Sequence, residues 1–297
     1  MPSLKDIKRR IKSVKNTQQI TKAMKMVAAA KLKRAHDDII AARPYSQKML
    51  DIINSLASRV RPDAHPLLSK RGGGRVELVI VTSDRGLCGG FNSNIIRVSE
   101  GFIRKNTDNT GITLNLIGKK AKDYFKRRGL TIRQERPVGS GRPNYTAAAE
   151  IAKEIVDSHI KEIFDETYLI YSEFKSALSQ KPVIQRLLPI ESQPPPASPF
   201  NKGGQGGVEE ATEYIYEPSQ EAILADILPK YIEVQIFMAL LESAASEHGA
   251  RMAAMDSATK NAKEMIEGLT LKYNRLRQAA ITKELMEIIG GAEALKG

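Results

Sequence analysis

The residues that first suggest chemistry are the glycines between Ser83 and Asn92, in the segment SDRGLCGGFN. This segment follows the apolar run VELVIV and precedes residues that can form a helix, which is where nucleotide-binding folds hold phosphate groups. However, Gly86, Gly89 and Gly90 fit neither the Gly-x-x-x-x-Gly-Lys-Ser/Thr pattern nor the Gly-x-Gly-x-x-Gly pattern. We therefore interpret the loop as a structural turn or a protein contact, with nucleotide binding as the alternative.

Few other side chains are arranged for catalysis. Cys88 is the only cysteine, which excludes an internal disulfide and fits a reducing compartment. A lone cysteine with apolar neighbours is typical of a packed side chain, and a reactive thiol is the alternative. The four histidines are scattered and form no metal-ligand cluster. The sequence also lacks a Ser–His–Asp, Cys–His or paired-carboxylate pattern, so we predict a non-catalytic chain without metal or cofactor.

Charge is the unusual feature of the composition. The chain of 297 residues carries a formal net charge of +12, and residues 1–40 hold eleven Lys or Arg against three Asp. Such a basic segment suggests nucleic acid or an acidic protein surface as a partner, or simply a solvated helix face. The absence of known nucleic-acid-binding motifs favours the protein surface.

Both ends of the chain show small and apolar residues at spacings that alternate between three and four. A seven-residue repeat of this kind is the signature of a left-handed coiled-coil seam. The N-terminal seam comprises Leu4, Ile7, Ile11, Val14, Gln18, Thr21, Lys25, Ala28, Leu32, Ala35, Ile39 and Ala42, with Ile20, Met24 and Val27 as an alternative stripe. The C-terminal seam comprises Leu241, Ala245, His248, Met252, Met255, Thr259, Ala262, Ile266, Leu269, Tyr273, Leu276 and Ala280.

Two such helices at opposite ends of one chain pair most simply as an antiparallel coiled coil, and Pro44 predicts a kink near Arg43. Polar residues in the middle of the N-terminal seam, from Gln18 to Lys25, indicate a fixed register or a contact zone.

The middle of the chain alternates strands with helices, which predicts a Rossmann-like α/β domain with a largely parallel sheet. The predicted strands are residues 76–81, 113–117, 167–173 and 183–190, and the predicted helices are 94–105, 119–128 and 146–163. Thr146 is the predicted N-cap of the last helix, and residues 130–145 are predicted to be a loop.

The predicted fold class is therefore α/β with a long antiparallel coiled coil. Its divisions are an N-terminal helix at 1–60, the α/β domain at 75–190, a Pro/Gly-rich loop at 191–212, and a short strand with the C-terminal helix at 213–297. We expect no membrane-spanning segment and no secretory signal, because no apolar run is long enough and the first ten residues are highly charged.

Three segments together resemble the gamma subunit family of rotary F-type ATP synthases. They are LKDIKRRIKSVKNTQQITKAMKMVAAAKLKRA near the start, the loop SDRGLCGGFN, and HGARMAAMDSATKNAKEMI with YNRLRQAAITKELMEIIGGAEAL near the end. The resemblance covers essentially the whole chain in order. It implies a central rotating stalk that links the catalytic alpha and beta subunits to a membrane ring of c subunits, with an epsilon subunit nearby.

The resemblance also implies roles for particular residues. Rotor–stator contact and coupling positions are Met24, Lys25, Arg85, Cys88, Arg251, Arg277, Gln278, Thr282 and Glu284. Tyr216 and Glu217 match the foot near the c ring and epsilon. The segment 191–208 occupies the place of a two-cysteine regulatory segment in plant chloroplast relatives, but it contains no cysteine, so thiol regulation of that type is not expected.

The resemblance further implies a bacterial protein at the cytoplasmic side of the inner membrane, attached through the complex. A basic coiled-coil protein that binds nucleic acid is the alternative, and a nucleotide-using α/β enzyme with helical arms is a second one.

Overall fold

The computed structural model describes residues 3–57, 65–106, 111–139, 141–177, 179–190 and 220–294. Two compact units result: one combines Met1–Ala30 with Arg251–Gly297, and the other spans Lys31–Ala250. Within the described ranges, no helix is long and apolar enough to cross a membrane. The predicted loop at 191–212 and the predicted strand at 213–217 lie outside the described residues. The four-part division of the chain therefore stays a prediction.

Two long helices contribute to both units. Helix α1 spans Leu4–Ala57, and helix α5 spans Gln220–Ala294. Pro44 lies inside α1 and Pro229 inside α5, and neither proline ends its helix. A proline removes one backbone hydrogen bond, and helices of 54 and 75 residues retain many others. The prediction of two long terminal helices is confirmed, and the kink near Arg43 stays a prediction.

In the unit formed by Met1–Ala30 and Arg251–Gly297, the predicted seams are the faces that the helices bury. Ile7, Thr21 and Ala28 of α1 and Met255 and Ala262 of α5 are buried. The other seam positions of this unit are half-buried. In the alternative stripe, by contrast, Ile20 is 59% and Val27 is 57% exposed. The seam with the polar middle is therefore the one that pairs the helices.

The unit Lys31–Ala250 contains a five-stranded sheet with the order β3-β2-β1-β4-β5, in which β5 alone runs antiparallel. The strands are β1 Arg75–Val81, β2 Gly111–Ile117, β3 Ile132–Arg136, β4 Glu166–Phe174 and β5 Gln180–Leu188. The connecting helices are α2 Phe91–Asn106, α3 Lys119–Phe125 and α4 Tyr145–Ile160. The predicted Rossmann-like, largely parallel sheet is confirmed.

Two predictions for this unit were wrong. Strand β3 lies within the segment predicted to be loop; of its residues IRQER only Ile132 is apolar, and none is fully buried, so the strand has no hydrophobic run. The N-cap of α4 is Asn144 instead of Thr146, because the Asn144 side chain accepts a hydrogen bond from the Thr146 backbone N–H at 3.1 Å. Asparagine and threonine are both good N-caps, so residue type alone does not decide between two candidates that lie two residues apart.

Side chains of alternating strand residues pack on the two faces of the sheet. One face carries Leu78 and Ile80 of β1 and packs against α2 and α3. The opposite face carries Val79 and Val81 and packs against α4 and against the parts of α1 and α5 that belong to this unit. Both faces are covered, which explains why β1 has six consecutive buried residues after its first.

One charged pair, Glu77 and Arg133, lies on the face of the sheet that packs against α4. Glu77 of β1 is fully buried and accepts a hydrogen bond from Arg133 Nε of β3 at 3.0 Å and another from Asn115 of β2 at 3.2 Å. Arg133 also donates to Ser158 of α4 at 2.8 Å. Burial raises the pKa of the Glu77 carboxyl, and the Arg133 guanidinium opposes that rise. The pair therefore connects the edge strand β3 to the centre of the sheet.

We expect Arg133→Leu to lower the free energy of unfolding by roughly 3–5 kcal/mol, because it leaves the Glu77 carboxylate buried without its counter-ion. The loss should shrink as the pH falls towards the ordinary glutamate pKa of 4.5, since a carboxyl with a raised pKa in the folded state is stabilised by protonation. Urea unfolding at several pH values measures both effects. The double variant Glu77→Val with Arg133→Leu is the control: it should regain most of the loss, and equal destabilisation of both variants would contradict the explanation.

Candidate functional site

Polar side chains interrupt the coiled-coil seam at the height of Lys25. Its Nζ lies 2.6 Å from Asp256 Oδ1, and Lys260 Nζ lies 3.1 Å from the other oxygen of the same carboxylate. One turn away, the Thr259 hydroxyl donates to the Thr21 hydroxyl at 2.8 Å. Four residues back along α1 thus correspond to three residues forward along α5, so the two helices run antiparallel here. The predicted antiparallel coiled coil is confirmed in this unit.

The Lys25–Asp256 pair changes the pKa of its carboxylate. Hydrogen bonds from Lys25 and then Lys260 hold the pKa of Asp256 below its ordinary value of 3.8. Both members of the pair are partly exposed, with 44% and 34% of the side-chain surface accessible, so solvent screens their attraction. The main contribution of the pair is to fix the register of α1 against α5, because any other register would leave these polar side chains without each other in the seam.

Met24 lies beside this polar layer and is half-buried. It stands on the same helix stripe as Ile20 and Val27, whose side chains are mostly exposed. We call these three residues the α1 outer stripe. The structure thus places Met24 at the border between the seam and an apolar surface that faces away from it.

The last part of α5 has no buried residue among those described after Ala280. The predicted coupling residues Arg277, Gln278, Thr282 and Glu284 are all exposed, and the Thr282 hydroxyl donates to the Gln278 carbonyl at 3.0 Å. The same stretch carries exposed apolar side chains that sequence reasoning did not select. They are Ile281, Leu285, Met286, Ile288 and Ile289, each between 49% and 68% exposed.

We call these five residues the α5 end patch. Spacings of four and three recur among them, as from Ile281 to Leu285 and on to Ile288. This helical periodicity past the end of the seam is the signal that could have identified them. Arg251, another predicted coupling position, is half-buried on α5. Tyr216 and Glu217, the predicted foot, lie outside the described residues.

In the unit Lys31–Ala250, the loop after β1 holds the other predicted contact residues. Cys88 is buried, and Asn92 donates to its sulfur at 3.1 Å and to the Ser83 hydroxyl at 2.8 Å. Arg85 is exposed, and its backbone carbonyl accepts a hydrogen bond from the Ser83 hydroxyl at 2.6 Å. The loop therefore presents the guanidinium of Arg85 outward and packs the thiol of Cys88 inward.

Asp84 anchors this loop to its neighbours. Its carboxylate accepts backbone hydrogen bonds from Lys119 at 2.9 Å, from Val138 at 3.3 Å and from Gly139 at 2.9 Å. These three donors follow β2 and β3, so one side chain ties together the loops at the carboxyl ends of three parallel strands. We did not select Asp84 from the sequence; its position three residues after the end of the buried strand β1 was the available signal.

Gly118 allows these loops to approach each other closely. Its φ of 101° is strained for other residues, and a Cβ at this position would lie 2.3 Å from the Thr82 carbonyl oxygen. The loops after β1 and β2 are therefore held together by backbone contact as well as by Asp84.

Comparisons with known proteins agree with this architecture. A family model described as ATP synthase matches residues 3–295. The ATP synthase gamma chain of Trichlorobacter lovleyi is 51% identical over 298 residues, and that of Anaeromyxobacter sp. (strain Fw109-5) is 52% identical over 300 residues. Both alignments cover 100% of each chain. The chain belongs to the ATP synthase gamma family.

Solved structures give the same result. A chain of the Tetrahymena thermophila mitochondrial ATP synthase central stalk and c ring has a TM-score of 0.60 and 27% identity, covering 80% of this chain and 99% of that one. A chain of the Euglena gracilis mitochondrial ATP synthase has a TM-score of 0.70 over 98% of this chain and 94% of that one. Its identity of 22% makes it a likeness of fold alone. Gamma-family membership thus confirms the resemblance found in the sequence.

For this gamma-family chain, we expect charge reversal of either member of the seam pair to lower the thermal midpoint. Lys25→Glu or Asp256→Lys places like charges together across the seam, whereas the double variant restores an opposite-charge pair and should recover much of the loss. Circular dichroism at 222 nm measures the midpoints. Lys263→Glu is a matched control, because its partner Glu267 is 4.0 Å away and both side chains are mostly exposed. A double variant no more stable than two additive losses would contradict the pairing.

The contribution of the pair should also depend on pH. Because the pKa of Asp256 is lowered in the folded state, the unfolded chain takes up its proton first as the pH falls. The stabilisation is therefore complete above the ordinary value of 3.8 and is lost as the pH drops below it through the lowered pKa. A double-variant cycle at neutral pH and at acidic pH measures this loss.

Proposed function

We propose that this chain is the central-stalk rotor subunit of an F-type ATP synthase, which transmits torque between a membrane c ring and a catalytic head of alpha and beta subunits. The observation that carries the proposal is the family match along nearly the whole chain, from residue 3 to residue 295. The antiparallel pairing of α1 and α5 supports it, because a rotor needs a stiff element that can be turned from one end.

The chain acts mechanically in this proposal and the chemistry of ATP belongs to other subunits. Proton flow turns the c ring, and an asymmetric shaft moves the catalytic sites in beta through states of different nucleotide affinity. Epsilon and the c ring join the foot around Tyr216 and Glu217. The complex lies at the bacterial inner membrane with this chain on the cytoplasmic side.

The contact between rotor and stator must permit sliding. In the described part of the unit formed by Met1–Ala30 and Arg251–Gly297, the exposed large apolar residues are all aliphatic or methionine, with no exposed Phe or Tyr among them. Basic side chains are exposed beside them, together with acidic and neutral polar ones. Weakly anchored apolar contacts and long-range attraction between basic and acidic surfaces suit a moving interface better than buried aromatic anchors. Following the family resemblance, we propose Met24, Lys25, Arg251, Arg277, Gln278, Thr282 and Glu284 as rotor–stator and coupling positions.

Arg85 and Cys88 have different parts in this proposal. The exposed guanidinium of Arg85 is the group that attracts an acidic loop of beta. Cys88 is buried and hydrogen-bonded to Asn92, so it supports the loop that carries Arg85.

Co-purification tests the function directly. A tagged chain expressed in its own cell should bring alpha, beta and epsilon subunits with it, and vesicles that contain the complex should pump protons when ATP is added. Isolation of the tagged chain alone would overturn the proposal. Salt-sensitive retention of nucleic acid without those subunits would instead support the nucleic-acid-binding alternative.

Met24→Lys tests the contact zone. The new ammonium group would stand at the edge of the α1 outer stripe, where it can pair with a carboxylate of beta and slow the sliding contact. We expect fewer protons pumped per ATP hydrolysed, by several-fold, with the ATPase activity largely retained. Met24→Leu keeps the size without the charge and should behave like the unchanged chain. Normal proton pumping by Met24→Lys would rule out this contact.

A further inference from the structure

The layer between the sheet and α4 contains buried acceptors that lack a donor. Glu77 of β1 and Asn115 of β2 have only 0% and 1% of their surface exposed. The Asn115 amide nitrogen donates to Glu77 Oε1 at 3.2 Å. The other oxygens of the two groups, Glu77 Oε2 and Asn115 Oδ1, accept no hydrogen bond from the residues that the structure describes. Burial has removed both oxygens from solvent, so each requires a donor inside the protein.

The donors around Glu77 all bind its other oxygen. Arg133 donates to Glu77 Oε1 from Nε and from one amino nitrogen, so this oxygen accepts three hydrogen bonds while Oε2 accepts none. A guanidinium commonly binds a carboxylate through two parallel hydrogen bonds, one to each oxygen. The second amino nitrogen of Arg133 donates to the Ser158 hydroxyl at 2.8 Å, and that hydroxyl donates to the Glu154 carbonyl at 2.6 Å. The donors of this network are therefore directed away from Glu77 Oε2.

A buried hydroxyl lies on the other side of β1. Thr167 of β4 is paired with Glu77 in the parallel register of β1 and β4, so both side chains lie on the same face of the sheet. Thr167 is fully buried, and its hydroxyl also has no partner among the residues that the structure describes. A hydroxyl group carries one hydrogen that it can donate. The neighbouring strands β2, β1 and β4 thus bring together two acceptors and one donor that are all unsatisfied.

We infer that an internal water molecule is bound above β1, between these three groups. It donates one hydrogen bond to Glu77 Oε2 and one to Asn115 Oδ1, and it accepts one from the Thr167 hydroxyl. About three hydrogen bonds are usual for a buried water molecule. All three residues lie inside the unit Lys31–Ala250, so the inference is independent of the proposed function. Water is then a structural ligand that connects three strands of the sheet.

Other occupants satisfy these groups less well. A calcium or magnesium ion takes about six or more oxygen ligands, and the Arg133 guanidinium already supplies a positive charge to Glu77. A proton on Glu77 Oε2 would give Asn115 a donor, but it would remove the charge that pairs with Arg133 and leave the Thr167 hydroxyl without a partner. A water molecule satisfies all three atoms and leaves the ion pair intact.

Thr167→Val tests the inference by the sign of its effect. Valine has nearly the shape of threonine but no hydroxyl, so the substitution removes one hydrogen bond from the water molecule. We expect the thermal midpoint of the full chain, followed by circular dichroism, to fall by about 2–4 °C. A hydroxyl that is buried without any partner is unfavourable, so its removal would leave the midpoint equal or raise it. Either of those results would overturn the inference.

Thr113→Val is the matched control. Thr113 is paired with Glu77 from the other side, in β2, and is only half-buried. Its replacement makes the same chemical change beside Glu77 without removing a fully buried hydroxyl. We expect a smaller shift of the midpoint than in Thr167→Val, and an equal or larger fall would contradict the special role of Thr167.

A crystallographic or cryo-EM map at a resolution that shows ordered water tests the site directly. The unchanged protein should show one peak within hydrogen-bonding distance of Glu77 Oε2, Asn115 Oδ1 and Thr167 Oγ1. A map without that peak would overturn the inference. A peak surrounded by five or more oxygen ligands would also overturn it, because the occupant would then be a metal ion. Direct contact between Glu77 Oε2 and Asn115 Oδ1 would likewise overturn it, since a shared proton would then replace the water.

Discussion

The seam between α1 and α5 in the unit of Met1–Ala30 and Arg251–Gly297 decides which surfaces the rotor offers to other subunits. Each helix is oriented about its own axis so that its stripe of small and apolar residues faces the partner helix. The other stripes therefore face solvent. The polar layer of Lys25, Asp256, Thr21 and Thr259 selects one register from those that small residues would allow. The exposure of Ile20 and Val27 is a consequence of that choice, because the alternative stripe would have buried them.

The unit Lys31–Ala250 uses a different device to hold the loop after β1. Strands β1, β2 and β3 run parallel, so the loops that follow them lie at the same end of the sheet. There the Asp84 carboxylate and the close approach at Gly118 join the three loops. Beneath them, Glu77 and Arg133 connect the edge strand β3 to the central strand β1. A loop supported in this way can carry Leu87 at its tip with a left-handed φ of 63°, since the surrounding hydrogen bonds oppose its relaxation.

Periodicity was enough to predict most of the fold. Seam positions such as Ile7 and Ala262 repeat over many turns, and β1 is apolar at every position from Val76 to Val81 except Glu77, so local pattern and tertiary burial agree. Strand β3 was missed because it is a half-exposed edge strand. Such a strand is held by hydrogen bonds to its neighbour and does not need the apolar side chains that a sequence pattern can show. The N-cap of α4 was predicted wrongly because Asn144 and Thr146, two residues apart, both have side chains that can cap a helix.

The candidate site was less predictable for a related reason. The Lys25–Asp256 pair joins residues that are 231 positions apart, and only the register of the folded helices shows that they meet. The sequence contains Leu87 but not its φ, which depends on anchors at both ends of the loop. The family resemblance supplied positions such as Arg277 and Glu284, which a periodic pattern alone would have left among ordinary exposed helix residues.

The α5 end patch also has a consequence for the solubility of the chain by itself. Five large aliphatic or thioether side chains on one exposed helix end would attract other apolar surfaces as soon as the chain leaves the ribosome. The net charge of +12 opposes this by making separate copies repel one another. The exposed apolar end and the net positive charge therefore act in opposite directions on the self-association of the free chain.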